Sequence, residues 1–574
     1  MVLRTALTVF TLCLLAAGLS PDPAKAQISL RQPAAPAEEA EEQAAEDNTH
    51  GAPTEEQAEE KDTEQTEEQI EEEKKPRIFT TEDMRPYEEA GSYHTIIGGS
   101  LGKALWKDQN REDILPLLKA LGTQNPFPGL QEMKKRLLLT AAETDAIKGP
   151  KKIKEGDDFL TIRLEKLIEN GWYDEAYKLY TDSVTTPPHL RLAEIGVLLI
   201  LYNGDLPTAC LEEKVIGADY METDFFKILD SACALELGTS EETSPLQGSD
   251  TLLSVFTDES FYIPALDTQR LMALSPLERG LVFAKGRIRY DANLFTPDVI
   301  KRIPSRLLML YRKDKSLPDD LKEPFLREAL ERNLISAEKF RKTEEDYKRI
   351  EKLEEETERQ PALAEKLSTE SSLPVLAAYT PLLVTYEDEA ASPDLTVKMI
   401  SAFLYADADI PESWMSRLSD LAASDPKNYV YFQLVGAVTG NGANLEKNKV
   451  LIPETESLAF PKDFSQALAI LESLDLKKTL DEQMLIVYDK QSSLTGSSDY
   501  GMKIDSLEKD IKTPARKEYS GLTILNILKA LDGGLTDTPP PLTSVALSSL
   551  ENVGYFDDVR AIARRCVAEI IYNN

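Results

Sequence analysis

The chain has 574 residues, is 42% hydrophobic and 7% aromatic, and carries a formal net charge of −35. That length allows several units of about 100–200 residues. So acidic a chain repels phosphate backbones and anionic lipid, which argues against nucleic acid as a partner. Leu, Ala, Glu and Lys dominate, and these helix formers favour an all-α fold. The charge is uneven. From Glu38 to Glu73 there are 17 acidic residues and one Lys, Lys61, a net of −16; the rest of the chain carries −19.

The first residues read as a targeting segment. Arg4 gives a positive start, and Ala6 to Leu19 is apolar but short for a bilayer span. Ala24-Lys25-Ala26 places small residues around a cut before Gln27, so residues 1–26 are expected to be a signal peptide. The alternative is an uncleaved anchor. Leu12 before Cys13 argues against a lipoprotein cut there. No later stretch reaches the roughly 18 apolar residues of a membrane span. The expected location is therefore periplasmic or secreted, with no membrane insertion after cleavage. Residues 27–77 are rich in Ala, Pro, Glu and Gln and nearly lack large apolar side chains. They cannot bury enough surface to offset chain entropy, and a disordered acidic linker is expected. It would serve as a solvating spacer or as a tether to a basic partner.

Order is expected from Ile78. Tyr93 to Ile97 is briefly β-like and runs into Gly98-Gly99. Leu117, Leu118 and Leu121 share a helical face, a loop with Pro126 and Pro128 follows, and a helix is predicted from about Leu130 to Ala146. Asp157 or Asp158 can cap a helix bearing Leu160, Leu164, Leu167 and Ile168, which ends at Asn170-Gly171. Tyr173, Ala176, Tyr177 and Tyr180 mark the next helix. Leu192, Ile195 and Leu199 mark a third, which stops at Asn203-Gly204 before Pro207.

Two features repeat. Gly171 and Gly204 are each followed five residues later by Ala, at Ala176 and Ala209, and Gly204 is followed by Gly238 at a similar interval. A period of about 34 with two helices per unit marks stacked helical hairpins, none of which can bury its apolar face alone. Residues 157–240 thus resemble degenerate tetratricopeptide-like repeats, with the Trp-Leu-Gly-Tyr set absent. More broadly, the chain is similar to a group of uncharacterised secreted Gram-negative helical-repeat proteins, some with an antifreeze-type name. The shared features are the signal, the Ala/Pro/Glu arm, Leu105-Trp106, the stretch from Arg136 to Ala142, and paired Cys in helical repeats. The resemblance implies architecture and location and no activity; no regular Thr lattice is present.

Beyond 240 the period blurs. The expected organisation is an α-solenoid of helical hairpins: an N-terminal helical-repeat region over 78–335, one long solvated helix over 336–372, and a C-terminal helical region over 373–574. Glu344, Glu345, Lys348, Arg349, Lys352 and Glu355 motivate the linking helix. Leu542, Val545 and Leu550, then Gly554, then Val559, Ile562, Ala563 and Ile570 predict a closing helix pair.

Chemistry is sparse. Gly98-Gly99-Ser100-Leu101-Gly102 matches a nucleophile elbow, but the pattern needs a parallel sheet before it and a His after it. Only His189 follows. Lys103 and Ala104 fail the phosphate-loop spacing and its magnesium ligand. His50, His94 and His189 are not spaced for zinc, and there is no Cys-x-x-Cys. Asp407 and Asp409 begin like a calcium loop that lacks its Gly and terminal Glu. Glu412-Ser413 only resembles the start of a lytic transglycosylase motif. No catalytic set, cofactor or metal is expected. Cys210 and Cys233 fall on consecutive helices joined by a short loop and are expected to form a disulfide; two buried thiols are the alternative. Cys566 is expected to be a core residue. Trp172, Tyr173, Tyr177 and Tyr180 are candidate groove aromatics, with core packing as their other fate. The expected function is a non-catalytic scaffold for a protein or peptide partner in the cell envelope. The rivals are an envelope hydrolase, carried on Ser100 or acting on peptidoglycan, and a structural spacer.

Overall fold

The computed structural model describes residues 77–216, 220–239, 246, 248–388, 391–440, 463–476 and 501–574. The expected signal peptide, His50 and the acidic linker, except for Arg77, lie outside the described residues. Among the described residues there are 27 α-helices and four short strands. The strands form two two-stranded pairs. Ile78–Thr80 (β1) runs antiparallel to Lys152–Lys154 (β2), with Phe79 opposite Ile153; Ile263–Pro264 (β3) runs parallel to Ile288–Arg289 (β4). The chain is thus a mostly helical protein of many helices.

The helices follow local rules. Asp158, not Asp157, caps Phe159–Glu169: its Oδ1 accepts from Thr161 N at 2.8 Å. Gly171 then takes φ +80°, and Tyr173–Ser183 turns back onto the first helix. Leu190–Tyr202, Leu206–Ile216 and Asp224–Glu236 each pack on the helix before them. Ala176 and Ala209, five residues after their turn glycines, are fully buried.

Two expectations are corrected. The helix begun at Leu130 ends at Leu139, short of Ala146. Thr140 is extended (ψ 128°), donates Oγ1–H to Arg136 O at 2.7 Å and accepts from Leu101 N at 2.9 Å. The region 336–372 is not one solvated helix but Ala337–Thr343, Glu345–Glu351 and Glu356–Thr369. Glu344 breaks the first from the second: its backbone is extended and its carboxylate caps Tyr347 N. Two charges that looked solvated are buried with partners. Glu344 accepts from Tyr379 OH at 2.7 Å, and both oxygens of Glu370 accept from Arg327 Nη2 at 2.7 Å. Phe340, Tyr347, Ile350, Leu363 and Leu367 join the core beside them.

The C-terminal helices return to the N-terminal ones. Ser520–Ala530 packs on Arg111–Lys119 and Leu130–Leu139. Leu522 N donates to Gln109 Oε1 at 2.8 Å, and Asn125 Nδ2 donates to Leu528 O at 3.2 Å. The last pair, Pro540–Asn552 and Phe556–Tyr572, buries Leu542, Leu550, Val559, Ile562, Ala563 and Ile570. One apolar core therefore continues from Leu101 to Ile571. No helix among the described residues is long and apolar enough to cross a membrane.

Candidate functional site

Ser100 and His189 have separate roles. At the turn, Ser100 N donates to Thr95 O at 2.9 Å, and Gly99 takes φ +95°. Ser100 Oγ accepts from Gly102 N at 3.1 Å. Tyr93 makes only a single bridge, to Thr140, so no strand leads into the turn. His189 is completely buried as the cap of Leu190–Tyr202. Its Nδ1 accepts from Leu192 N at 3.4 Å, its Nε2 lies 3.0 Å from Asp158 Oδ2, and its ring lies 5.5 Å from Phe79. A neutral ring protonated on Nε2 satisfies both bonds. Burial pushes the Asp158 carboxyl up, but bonds from His189 and Thr161 outweigh it and hold that carboxyl below its ordinary value. His189 ties β1 and two helices together, and it does not line the cleft that holds Ser100.

That cleft has a volume of about 720 Å³ and lies where the N- and C-terminal helices meet. One wall is the turn through Ile96, Ile97 and Leu101 with the start of Leu130–Leu139. The other is Gly554-Tyr555 and the first turns of Phe556–Tyr572, with Asp407 beside them. The close approach of the walls needs bare backbone: a Cβ on Gly129 (φ +79°) would lie 2.8 Å from Ile562 Cγ1. The walls are bonded together. Arg136 pairs with Asp558 and donates Nε–H to Gly99 O at 2.8 Å, while Tyr555 OH donates to Leu101 O at 2.8 Å. Asp407 pairs with Arg564 at 2.8 Å. Arg565 stacks over Tyr405 and donates to its carbonyl at 3.2 Å. One turn further, burial pushes the Glu569 carboxyl up to about 7, with Arg565 opposing. At the rim, Ile96 and Ile97 are 76% and 103% exposed. The sequence singled out Gly99 to Gly102, Asp407, Gly554 and Ile562 separately but not the cleft they line; its two facing walls lie more than four hundred residues apart in the chain.

The other candidate residues are dispersed. Trp172 and Tyr173 are in the core. Trp172 lies under the Lys134 and Lys135 ammoniums at 5.6 and 5.7 Å, and Tyr173 OH donates to Arg306 O at 3.1 Å. Tyr180 is nearly buried against Gly196, and only Tyr177 of the four is exposed. Cys210 and Cys233 form a disulfide between Leu206–Ile216 and Asp224–Glu236, with Cα atoms 5.6 Å apart. Cys566 is free and buried, and burial pushes its thiol well above its ordinary value. Glu412 and Ser413 are exposed at a helix start, whereas Trp414 stacks on Tyr386 in the core. Asp409 is exposed, and Asp407 spends its charge on Arg564. Among the described residues no group of three His, Cys, Asp or Glu side chains could hold a metal ion. No family model, curated protein or solved structure matches the chain, so it is placed by its own architecture, a many-helix protein with a large cleft among the described residues where Leu130–Leu139 and Phe556–Tyr572 meet.

Proposed function

We propose that this chain is a periplasmic or secreted helical-repeat scaffold, tetratricopeptide-like in its 157–240 hairpins, that holds a protein or peptide partner without catalysis. The observation that carries the reading is the cleft between the turn at Ile96–Leu101 and the last helix. It offers an apolar rim, charged side chains and about 720 Å³ of space, the mixture that suits a peptide segment. The disulfide and the signal-like N-terminus support an oxidising compartment.

The test is crosslinking capture from the periplasm with a photoreactive residue at Ile97. A discrete adduct that disappears with Ala561→Glu in the cleft, but persists with Leu237→Asp on a remote surface, supports the reading. Capture indifferent to the cleft variant, or no adduct at all, overturns it. The rival hydrolase reading keeps one supporting observation: Ser100 lines the same cleft. Labelling by a serine-reactive probe that is lost in Ser100→Ala would favour that rival.

A further inference from the structure

We infer that the cleft selects a protein segment presenting a lysine or arginine beside a bulky apolar side chain; this rests on the binding reading above. The argument is one of remaining charge. Six charged side chains line the cleft: Glu132, Asp407, Asp557, Asp558, Arg136 and Arg565. Asp558 and Arg136 neutralise one another, and Asp407 is matched by Arg564. Arg565 lines the cleft and makes no ion pair among the described residues. That leaves Glu132, Asp557 and Arg565, a net of −1, and the buried Lys135 near Glu132 is already paired with Glu175. The two carboxylates, Glu132 and Asp557, are exposed, and neither takes part in an ion pair among the described residues. They stand on opposite walls, Glu132 in the first turn of Leu130–Leu139 and Asp557 in the first turn of Phe556–Tyr572.

The lining holds four carboxylates against two guanidiniums, so an anionic segment meets net repulsion, whereas a cationic side chain between Glu132 and Asp557 is attracted by both. The rest of the chain strengthens this preference, since it is net acidic even without the linker. The apolar requirement comes from the rim. Ile96 and Ile97 line the cleft on one wall and stand in solvent. Such side chains gain by being covered, and a Leu, Ile or Phe next to the basic residue would cover them.

The experiment selects a displayed random dodecapeptide library on the whole secreted chain and on two variants, E132Q/D557N and I96S/I97S. All substitutions are at exposed positions, and thermal unfolding checks that each variant stays folded. The expected result is enrichment of Lys or Arg next to Leu, Ile or Phe on the parent. Peptides so selected should bind E132Q/D557N about three- to tenfold more weakly, and that loss should shrink in high salt. The I96S/I97S variant should lose the apolar preference. Enrichment of acidic or uncharged segments that still depends on Ile96 and Ile97 overturns this inference and leaves the binding reading standing. Enrichment of basic residues with no apolar neighbour, or binding of free polyamine with equal strength, also overturns it. No enrichment on any form overturns the binding reading itself.

Discussion

Gly521 lies against the face of Trp106: a Cβ built at position 521 falls 2.3 Å from the indole carbons Cε3 and Cζ3, and Gly521 N donates to Leu105 O at 3.0 Å. The contact docks the Ser520–Ala530 helix onto a loop more than four hundred residues earlier. Gly521→Ala should therefore push two elements apart and lower stability by about 1–3 kcal/mol, the range for overpacking a tight core. Urea titration followed by tryptophan fluorescence would measure it. Gly204 serves as comparison, since its Cβ would meet nothing within 4 Å; Gly204→Ala should cost only about 1 kcal/mol, from its left-handed φ of +74°.

The cysteines make a second prediction. In the chain without residues 1–26, thiol titration should find no fast-reacting group in the native state and one after denaturation without reductant, from Cys566. Replacing Cys210 and Cys233 by Ser frees a loop of 23 residues and should lower stability by about 3 kcal/mol in the chain-entropy model.

Lys134 gives a pH dependence. It is buried, donates to Gly122 O at 3.0 Å, and its amine is pushed down to about 7 by burial and then by Lys166. In the unfolded chain it titrates near its ordinary value of 10.5. Between those two values the unfolded state holds more protons, so this residue makes stability rise with pH. The parent should gain stability from pH 7 to 9 relative to Lys134→Met, which lacks that titration. Denaturation midpoints of the two proteins across that range would show it, and parallel profiles would contradict it.

Arg163 binds four backbone carbonyls: those of Phe159 at 3.2 Å, Thr140 at 2.9 Å, Glu88 at 3.2 Å and Ala90 at 2.5 Å. A guanidinium fork reaches such a set and an ammonium does not. Arg163→Lys should lower stability by about 3 kcal/mol, because buried carbonyls lose their donors. Hydrogen exchange should rise first around residues 88–93 and 140, where those carbonyls lie.

Much of the helical content was legible because local rules act within a turn or two. Asp158 capping, the left-handed exit at Gly171 and the buried Ala176 and Ala209 are all decided by neighbours in sequence. The charged stretch after 336 misled for a physical reason. Glu344 and Glu370 look like surface residues until Tyr379 and Arg327 arrive from elsewhere to satisfy them. Ser100 and His189 are residue types that suit catalysis, but spacing along a chain says nothing about whether two loops meet. The cleft was hidden for the same reason. Ile97 and Asp557 become neighbours of one space only through tertiary packing; the Gly99–Gly102 turn and Gly554 stood out in the sequence, but nothing there showed that they face one another.

The bond from Tyr555 OH to Leu101 O spans 454 positions of sequence, and that separation sets an order of events. Trp106, Ile114 and Leu118 emerge early during synthesis, but the surface that covers them arrives with the last helices. Contacts of such range form slowly, and an uncovered apolar face invites aggregation while it waits. A chain stalled or clipped before residue 520 should thus depend on a holding chaperone and be a preferred target of proteolysis, even though every helix upstream of the break is intact in sequence.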